Sequence, residues 1–456
     1  MNVNQSTDHQ LRIGLCNTPC SWASIHKQHH QLNSTFEAAT TLSPHCIHPQ
    51  YIISYNRLQY IPCKQYNRTT QYNESSDELR TFDALYITQQ HLFMCVLPHT
   101  NNTSYLHRYM YCSNRIRSIK KDIVQQHDYI TQCTSTQLDV VLHILHNNII
   151  YYILSHYILY NDSNYSDVLN NKSLYDQLNY VLTLIQYSDN HQLINDILNT
   201  AILSNITNEW IDVQHLLLLV YHHRTDTSCT TVQAIYYAYK NNNYYMFLYL
   251  YSTIHDRLTV CMLSQYTLSV RTKLVKQINH TFLMNGYISL YDMATILHYN
   301  VDTIDKNENN VRVLIYLLLH VYQLNLIIPD QYTAVNWLNH HHIDQFHVII
   351  HHIINTPMDW KLQLNCKTYP LNIDMNINAM KLYHQHIQLL HEHELLSNQW
   401  NESVNHTAHQ ISKFNITDSW GDYNDTLSQS QQPSPVDDTV LSPTSKYCLL
   451  TQLCTT

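Results

Sequence analysis

Soft and borderline metal ligands gather in two places along the chain. The first set is Cys16 and Cys20, then His26, His29 and His30, then Cys46 and His48. Thiolates and imidazoles at such short spacing could hold a structural zinc ion in a tetrahedral cage. No second cysteine pair of similar spacing follows, and twelve cysteines in 456 residues are too few for a disulfide scaffold. These side chains therefore read as reduced thiols in an irregular, histidine-rich leader, with no metal held. The second set is His340, His341 and His342 with His347, His351 and His352. On a helix His347 and His351 share a face at i, i+4, the spacing by which two imidazoles grip one ion. With 33 histidines in the chain such clusters arise by composition alone, so here too no metal is assigned. His391-Glu392-His393-Glu394 departs from H-E-x-x-H, which removes the metalloprotease reading.

Nucleotide chemistry is excluded on different grounds. The chain has 3 glycines, and neither G-x-G-x-x-G nor G-x-x-x-x-G-K-[ST] nor G-x-S-x-G occurs. Loops that cradle phosphate need glycine so that backbone amides can approach the anion. Dehydrogenases, P-loop ATPases, kinases and α/β-hydrolases are set aside, and neither catalytic residues nor cofactors are expected. A formal charge of −9 argues against a nucleic-acid surface. The densest basic run, Arg115-Ile116-Arg117-Ser118-Ile119-Lys120-Lys121, reads as a solvated loop or strand end that could at most touch an anionic membrane or acidic partner.

The positioning elements are mainly helical. Leu138, Val141, Leu142, Leu145, Ile149, Tyr152 and Ile153 recur at helical spacing, as do Leu174 to Ile185 and Ile194 to Ile202. Further helices are predicted at 210–221, 232–239, 244–254, 269–278, 288–298, 311–324, 332–338, 345–354 and 379–396. Helices joined by short polar breaks, each apolar on a broad face, must stack on their neighbours, which predicts an irregular α-helical solenoid over 135–396. Before it, 49–130 holds short aromatic and β-branched runs such as Tyr51-Ile52-Ile53, Leu58 to Ile61, Leu85-Tyr86-Ile87 and His91 to Leu97, stopped by Pro62 and Pro98. They read as strands. Residues 1–48 read as a flexible leader and 397–456 as a disordered tail. No apolar leader peptide or membrane-spanning run is visible, so the fifteen N-x-[ST] sequons are expected to stay unused and the protein to be cytoplasmic.

One stretch resembles a known family. In 287–354 a helix opening Ser289-Leu290-Tyr291-Asp292-Met293-Ala294 is followed by an acidic linker from Asp305 to Asn310. The apolar run from Val313 to Asn325 comes next, then Ile327-Ile328-Pro329 and two further helices. This order is similar to the carboxy-terminal helical domain of the colon cancer-associated Mic-one-like family, the regulator subunit of the Mon/Ccz complex, and Leu138 to Tyr157 resembles that family's first helical hairpin. The resemblance implies that 49–130 is a propeller remnant, with room for two or three blades of about 40 residues. It also implies a non-enzymatic subunit that assembles with Mon and Ccz proteins and a Rab-type small GTPase. Such a subunit would sit peripherally on late endosomes or lysosomes and act in vesicle trafficking and autophagy. The alternative reading is a divergent, ankyrin-like helical-repeat protein of a virus or parasite that binds a host factor.

Overall fold

The computed structural model describes residues 12–21, 36, 53–55, 58–60, 62–68, 75–97, 104–160, 162–207, 213–222, 228–254, 256–281, 286–298, 325–327 and 361–364. The expected helices at 311–324, 332–338, 345–354 and 379–396 and the expected tail at 397–456 lie outside them, as does most of the leader.

The described residues divide into two units, one up to Ala201 together with 213–222, the other comprising 202–207 and everything from Ser228 onward. The first is helical apart from a hairpin in which β1 (Ile53–Tyr55) pairs antiparallel with β2 (Leu58–Tyr60). Its helices are α1 (Phe82–His91), α2 (Tyr105–Gln125), the single turn α3 (His127–Ile130), α4 (Ser135–Leu159), α5 (Asp167–Leu184), α6 (His191–Ser204) and α7 (Val213–His222). Alpha1 widens into a π-helical turn over Leu92–Val96.

This corrects the strand reading of the early segment. Leu85-Tyr86-Ile87 and His91 to Leu97 are helical, and no propeller blade is present among the described residues. A short apolar run has no readable period. Leu85, Leu92, Phe93, Val96 and Leu97 are all buried, as a core helix requires. The leader also departs from expectation, because Cys16 and Cys20 are buried and Cys16 forms a parallel bridge with Arg80.

The helical period read from Ser135 onward holds residue for residue. Leu138, Val141, Leu142, Leu145, Ile149, Tyr152 and Ile153 are buried in α4. That helix is the centre of its unit, with α1, α2 and α5 all packed on it. It is buried on more than one face: Ile144, Ile150, Tyr151 and Leu154 are also inside. Several polar groups in and around it pair with neighbours. Gln89 Nε2 donates to the Ile144 carbonyl at 2.7 Å and to Asn148 Oδ1 at 2.7 Å, and Tyr151 Oη donates to the Tyr109 carbonyl at 2.9 Å.

Helix starts are set by side chains. Thr81, Ser104, Thr134, Ser166, Asn243 and Ser289 each sit at an N-cap and accept from an amide of the first turn. With glycine nearly absent, left-handed positions fall to other residues. Asn242, just after a helix, has φ 58°, and His298 has φ 52°. Asparagine tolerates that region best after glycine.

The second unit contains α8 (Ser228–Lys240), α9 (Tyr244–Thr253), α10 (Arg257–Thr281), β3 (Gly286–Ser289), α11 (Leu290–Ile296), β4 (Asn325–Ile327) and β5 (Lys361–Leu364). Alpha9 packs on both α8 and α10. The expected helix at 269–278 is the second half of the longer α10, and 288–298 splits into the end of β3 and α11. The three strands form an antiparallel sheet in the order β3-β5-β4, with Ile288 and Leu326 both opposite the buried Leu362. No helix among the described residues is long and apolar enough to cross a membrane.

Candidate functional site

Two constellations of charged and aromatic side chains stand out, one in each unit. The first is a buried knot around Asp122 in α2. Its carboxylate accepts from Lys64 Nζ at 2.9 Å and Arg80 Nε at 2.7 Å, and all three side chains are inside. Arg80 also donates to Ser118 Oγ at 3.0 Å and to the Pro19 carbonyl at 3.3 Å, while Lys64 reaches the Glu78 carbonyl at 3.1 Å. One helix turn on, Gln126 Nε2 donates to the Arg80 carbonyl at 3.0 Å and its Oε1 accepts from the Gly14 amide at 2.8 Å. Three segments distant in sequence, around Gly14 to Pro19, Lys64 and Glu78 to Arg80, are thereby tied to one helix. Two cations and one carboxylate, all buried and with each side-chain nitrogen hydrogen-bonded within the protein, read as an architectural knot.

The basic run of α2 belongs to the same interior. Arg115, expected as solvated, is buried with its guanidinium 3.8 Å from the Tyr111 ring centroid. Arg117 donates to Ser173 Oγ at 3.0 Å and Lys120 to the Asp176 carbonyl at 2.5 Å, both on α5. Burial pushes the Lys120 ammonium below its ordinary range, with Asp176 opposing. The run is a seam between α2 and α5. It is half turned inward because four charges spread over seven helical residues point in different directions.

The second constellation is on the surface. Tyr237 on α8 and Tyr245 and Tyr249 on α9 are 46%, 50% and 47% exposed. Tyr245 and Tyr249 are four residues apart, so their rings share one face of α9. Both flank the His298 ring, at 5.1 and 6.0 Å between centroids. Lys273 of α10 sits 5.0 Å from the Tyr239 ring and 5.6 Å from the Tyr244 ring, and Lys240 lies 5.8 Å from the Tyr236 ring. Lys276 and Gln277 are exposed one turn further along α10, with Gln277 donating to the Asn242 carbonyl at 3.1 Å. Between Ser228 and Thr281 there are five cationic residues, Lys240, Arg257, Arg271, Lys273 and Lys276, against the single carboxylate Asp256. That carboxylate is occupied in capping α10 through Thr259, at 2.9 Å to its amide and 2.6 Å to its hydroxyl. The segment from Ser228 to Thr281 is therefore cationic within a chain of net charge −9. It does not show as a run because Lys240 and Lys273 are 33 residues apart in the sequence.

Most of the metal-ligand candidates lie outside the described residues. Cys16 and Cys20 are buried thiols, and His26, His29, His30, Cys46 and His48 lie outside the described residues, as do His340, His341, His342, His347, His351, His352 and the 391–394 stretch. Among the described residues no three His, Cys, Asp or Glu side chains are placed to hold an ion.

The model of the SAC3/GANP family matches residues 54–315, more than half of the 456 and from β1 to beyond α11. The chain belongs to the SAC3/GANP family. No curated protein matches it.

SAC3/GANP membership overturns the Mic-one-like resemblance. The assignments that hung on it fall too: the Mon/Ccz and Rab-type partners, the late-endosomal or lysosomal site, and the role in vesicle trafficking and autophagy. The ankyrin-like viral or parasite alternative and the exclusion of nucleic-acid association give way as well. The error has a physical source. Apolar helices with polar breaks are what any stacked helical protein produces, so the pattern over 287–354 carries helix burial and little family information. The SAC3/GANP match ends at residue 315, before most of the stretch that suggested the other family.

Proposed function

We propose that this chain is a non-enzymatic helical scaffold of an mRNA export complex, acting in the nucleus or at the nuclear pore. The observation that carries this reading is the SAC3/GANP match over 54–315, which takes in all the described helices of both units. The interior supports it. In the first unit the buried Lys64, Arg80, Arg115 and Asp122 are engaged with one another, with backbone or with aromatic rings, an arrangement that fixes shape. Sequence-adjacent helices pack on each other, α4 on α5, α8 on α9 and α9 on α10, which favours an irregular solenoid as the architecture. The second unit follows its longest helix with a small sheet whose last strand is central and whose first strand leads straight into α11.

The test is affinity purification of the full chain from nuclease-treated nuclear extract of its source cell. Co-purification of mRNA export subunits, retained after nuclease, is the expected result. Recovery of the chain alone, or with vesicle-tethering subunits, would refute it.

A further inference from the structure

We propose that His298 is a protonation latch: its neutral ring, set against Tyr245 and Tyr249, holds the last turn of α11 to α9 and α10, and taking up a proton releases that turn. The device belongs to the second unit and does not depend on the export-scaffold role.

The backbone singles this residue out. His298 closes α11 in the left-handed region, at φ 52°, with its amide donating to the Thr295 carbonyl at 3.0 Å. A residue with a Cβ is strained there, and such strain persists only where the surroundings hold it. Two contacts do the holding. The buried Arg271 of α10 donates from Nε to the Leu297 carbonyl at 2.9 Å and from a terminal nitrogen to the His298 carbonyl at 3.4 Å. The imidazole itself lies against the Tyr245 and Tyr249 rings of α9, at 5.1 and 6.0 Å between centroids. Leu290, Met293 and Ala294 are buried and anchor the rest of α11, so the latch governs its last turn alone.

A neutral ring suits this place and a charged one does not. Nε2 is shut off from water and has no hydrogen-bond partner among the described residues. In the imidazolium both nitrogens carry a proton, and a charged N–H buried there would lack an acceptor. The carboxyl end of a helix ordinarily attracts a cation, but Arg271 already holds the last two carbonyls and repels a second positive charge. On α11 itself Tyr291 and Asp292 lie toward the other end, with Asp292 accepting from Ser289 Oγ at 2.6 Å, so that acid does not offset Arg271. The faces of Tyr245 and Tyr249 favour a cation, yet at 45° and 60° to the imidazole neither lies flat on it. The balance falls on the neutral side: burial, then Arg271, hold the imidazole below its ordinary range. The closed turn therefore excludes the proton, while the open turn takes it up at the ordinary value of about 6.5, and opening is favoured as pH falls below that value.

The experiment is hydrogen exchange of the full chain read by mass spectrometry at pH ~7.5 and ~5.5, with rates corrected for the intrinsic effect of pH and peptides of α4 as internal reference. A fall of about one pH unit below the open-state value raises the opening constant by up to about tenfold when the closed turn binds no proton. A rise of at least about threefold in the amides of Leu297 and His298, with the α4 peptides unchanged, is the expected result. His298→Asn tolerates the left-handed backbone, leaves the carbonyls for Arg271 and cannot titrate, so its ratio should stay within about twofold. His298→Gly fits φ 52° without strain and serves as a second variant with the same expectation. A smaller rise in the parent, or an equal rise in either folded variant, would overturn the proposal.

Discussion

Replacing Asp122 by alanine removes the one anion of the buried knot and leaves two cations behind. Lys64 Nζ and Arg80 Nε lose partners at 2.9 and 2.7 Å, and the Arg80 amide loses a weaker contact at 3.4 Å. Each hydrogen bond to a charged group contributes about 1.5 to 3 kcal/mol, and breaking a buried ion pair by removing one partner costs about 3 to 5 kcal/mol. Lys64 and Arg80 keep their contacts to Glu78, Pro19 and Ser118, which softens the loss. A destabilisation of about 4 kcal/mol is therefore expected. In the first unit, of the size where 1 kcal/mol moves Tm by about 2 to 4 °C, this is a fall of roughly 10 °C. Asp122→Asn keeps the shape and one acceptor oxygen but loses the charge, and should cost less than the alanine change. Urea denaturation of the full chain, followed by far-ultraviolet circular dichroism, reads both variants against the parent. A loss below about 1 kcal/mol for Asp122→Ala would refute the reasoning, because it would mean that the two cations reach water and the knot is not dry.

Three further outcomes follow from particular sites. Gly14→Ala drives a Cβ into the Arg80 carbonyl oxygen and to 2.7 Å from its carbon, both backbone atoms that cannot swing aside, so a loss of about 1 to 3 kcal/mol in the same denaturation assay is expected. Phe247→Ala, at a fully buried ring 5.9 Å from Tyr239, should cost about 3 to 5 kcal/mol, whereas Met246→Ala on the outer side of the same helix should fall within about 0.5 kcal/mol. Burial holds the His143 imidazole below its ordinary range, opposed by Asp139 and Asp196. A histidine of lowered pKa binds fewer protons folded than unfolded, so its contribution is present above the unfolded value of about 6.5 and is lost as pH falls from there toward the folded value. His298, lowered by burial and by Arg271, acts in the same direction. Melting temperature should therefore drop below pH ~6.5, with a shallower drop in His143→Gln.

What was legible in the sequence was whatever repeats at 3.6 residues over a long span. The buried stripe of α4 could be read to the residue and the positions of α5 and α6 could be read without their ends, because a stripe such as Leu138-Val141-Leu142-Leu145 has only one periodic explanation. The segment before them misled because Leu85-Tyr86-Ile87 and His91 to Leu97 are short, β-branched or aromatic, and bounded by proline, which is also what a strand looks like. There the helical caps Thr81 and Ser104 were the missed signal. The surface site was illegible for another reason. Lys240 and Lys273 are 33 residues apart in the chain, and a scan for basic runs finds instead Arg115 to Lys121, where folding turns the guanidinium of Arg115 onto a tyrosine and hides it. Family identity was misread because burial pattern alone does not distinguish one helical stack from another.

The central claim is that this chain serves mRNA export as a scaffold. The measurement that bears on it most directly is the distribution of polyadenylated RNA, seen by in situ hybridisation, after depletion of the protein from its source cell. The account predicts that the RNA accumulates in the nucleus and that expression of the intact chain reverses this. An unchanged distribution, with depletion verified, would contradict it.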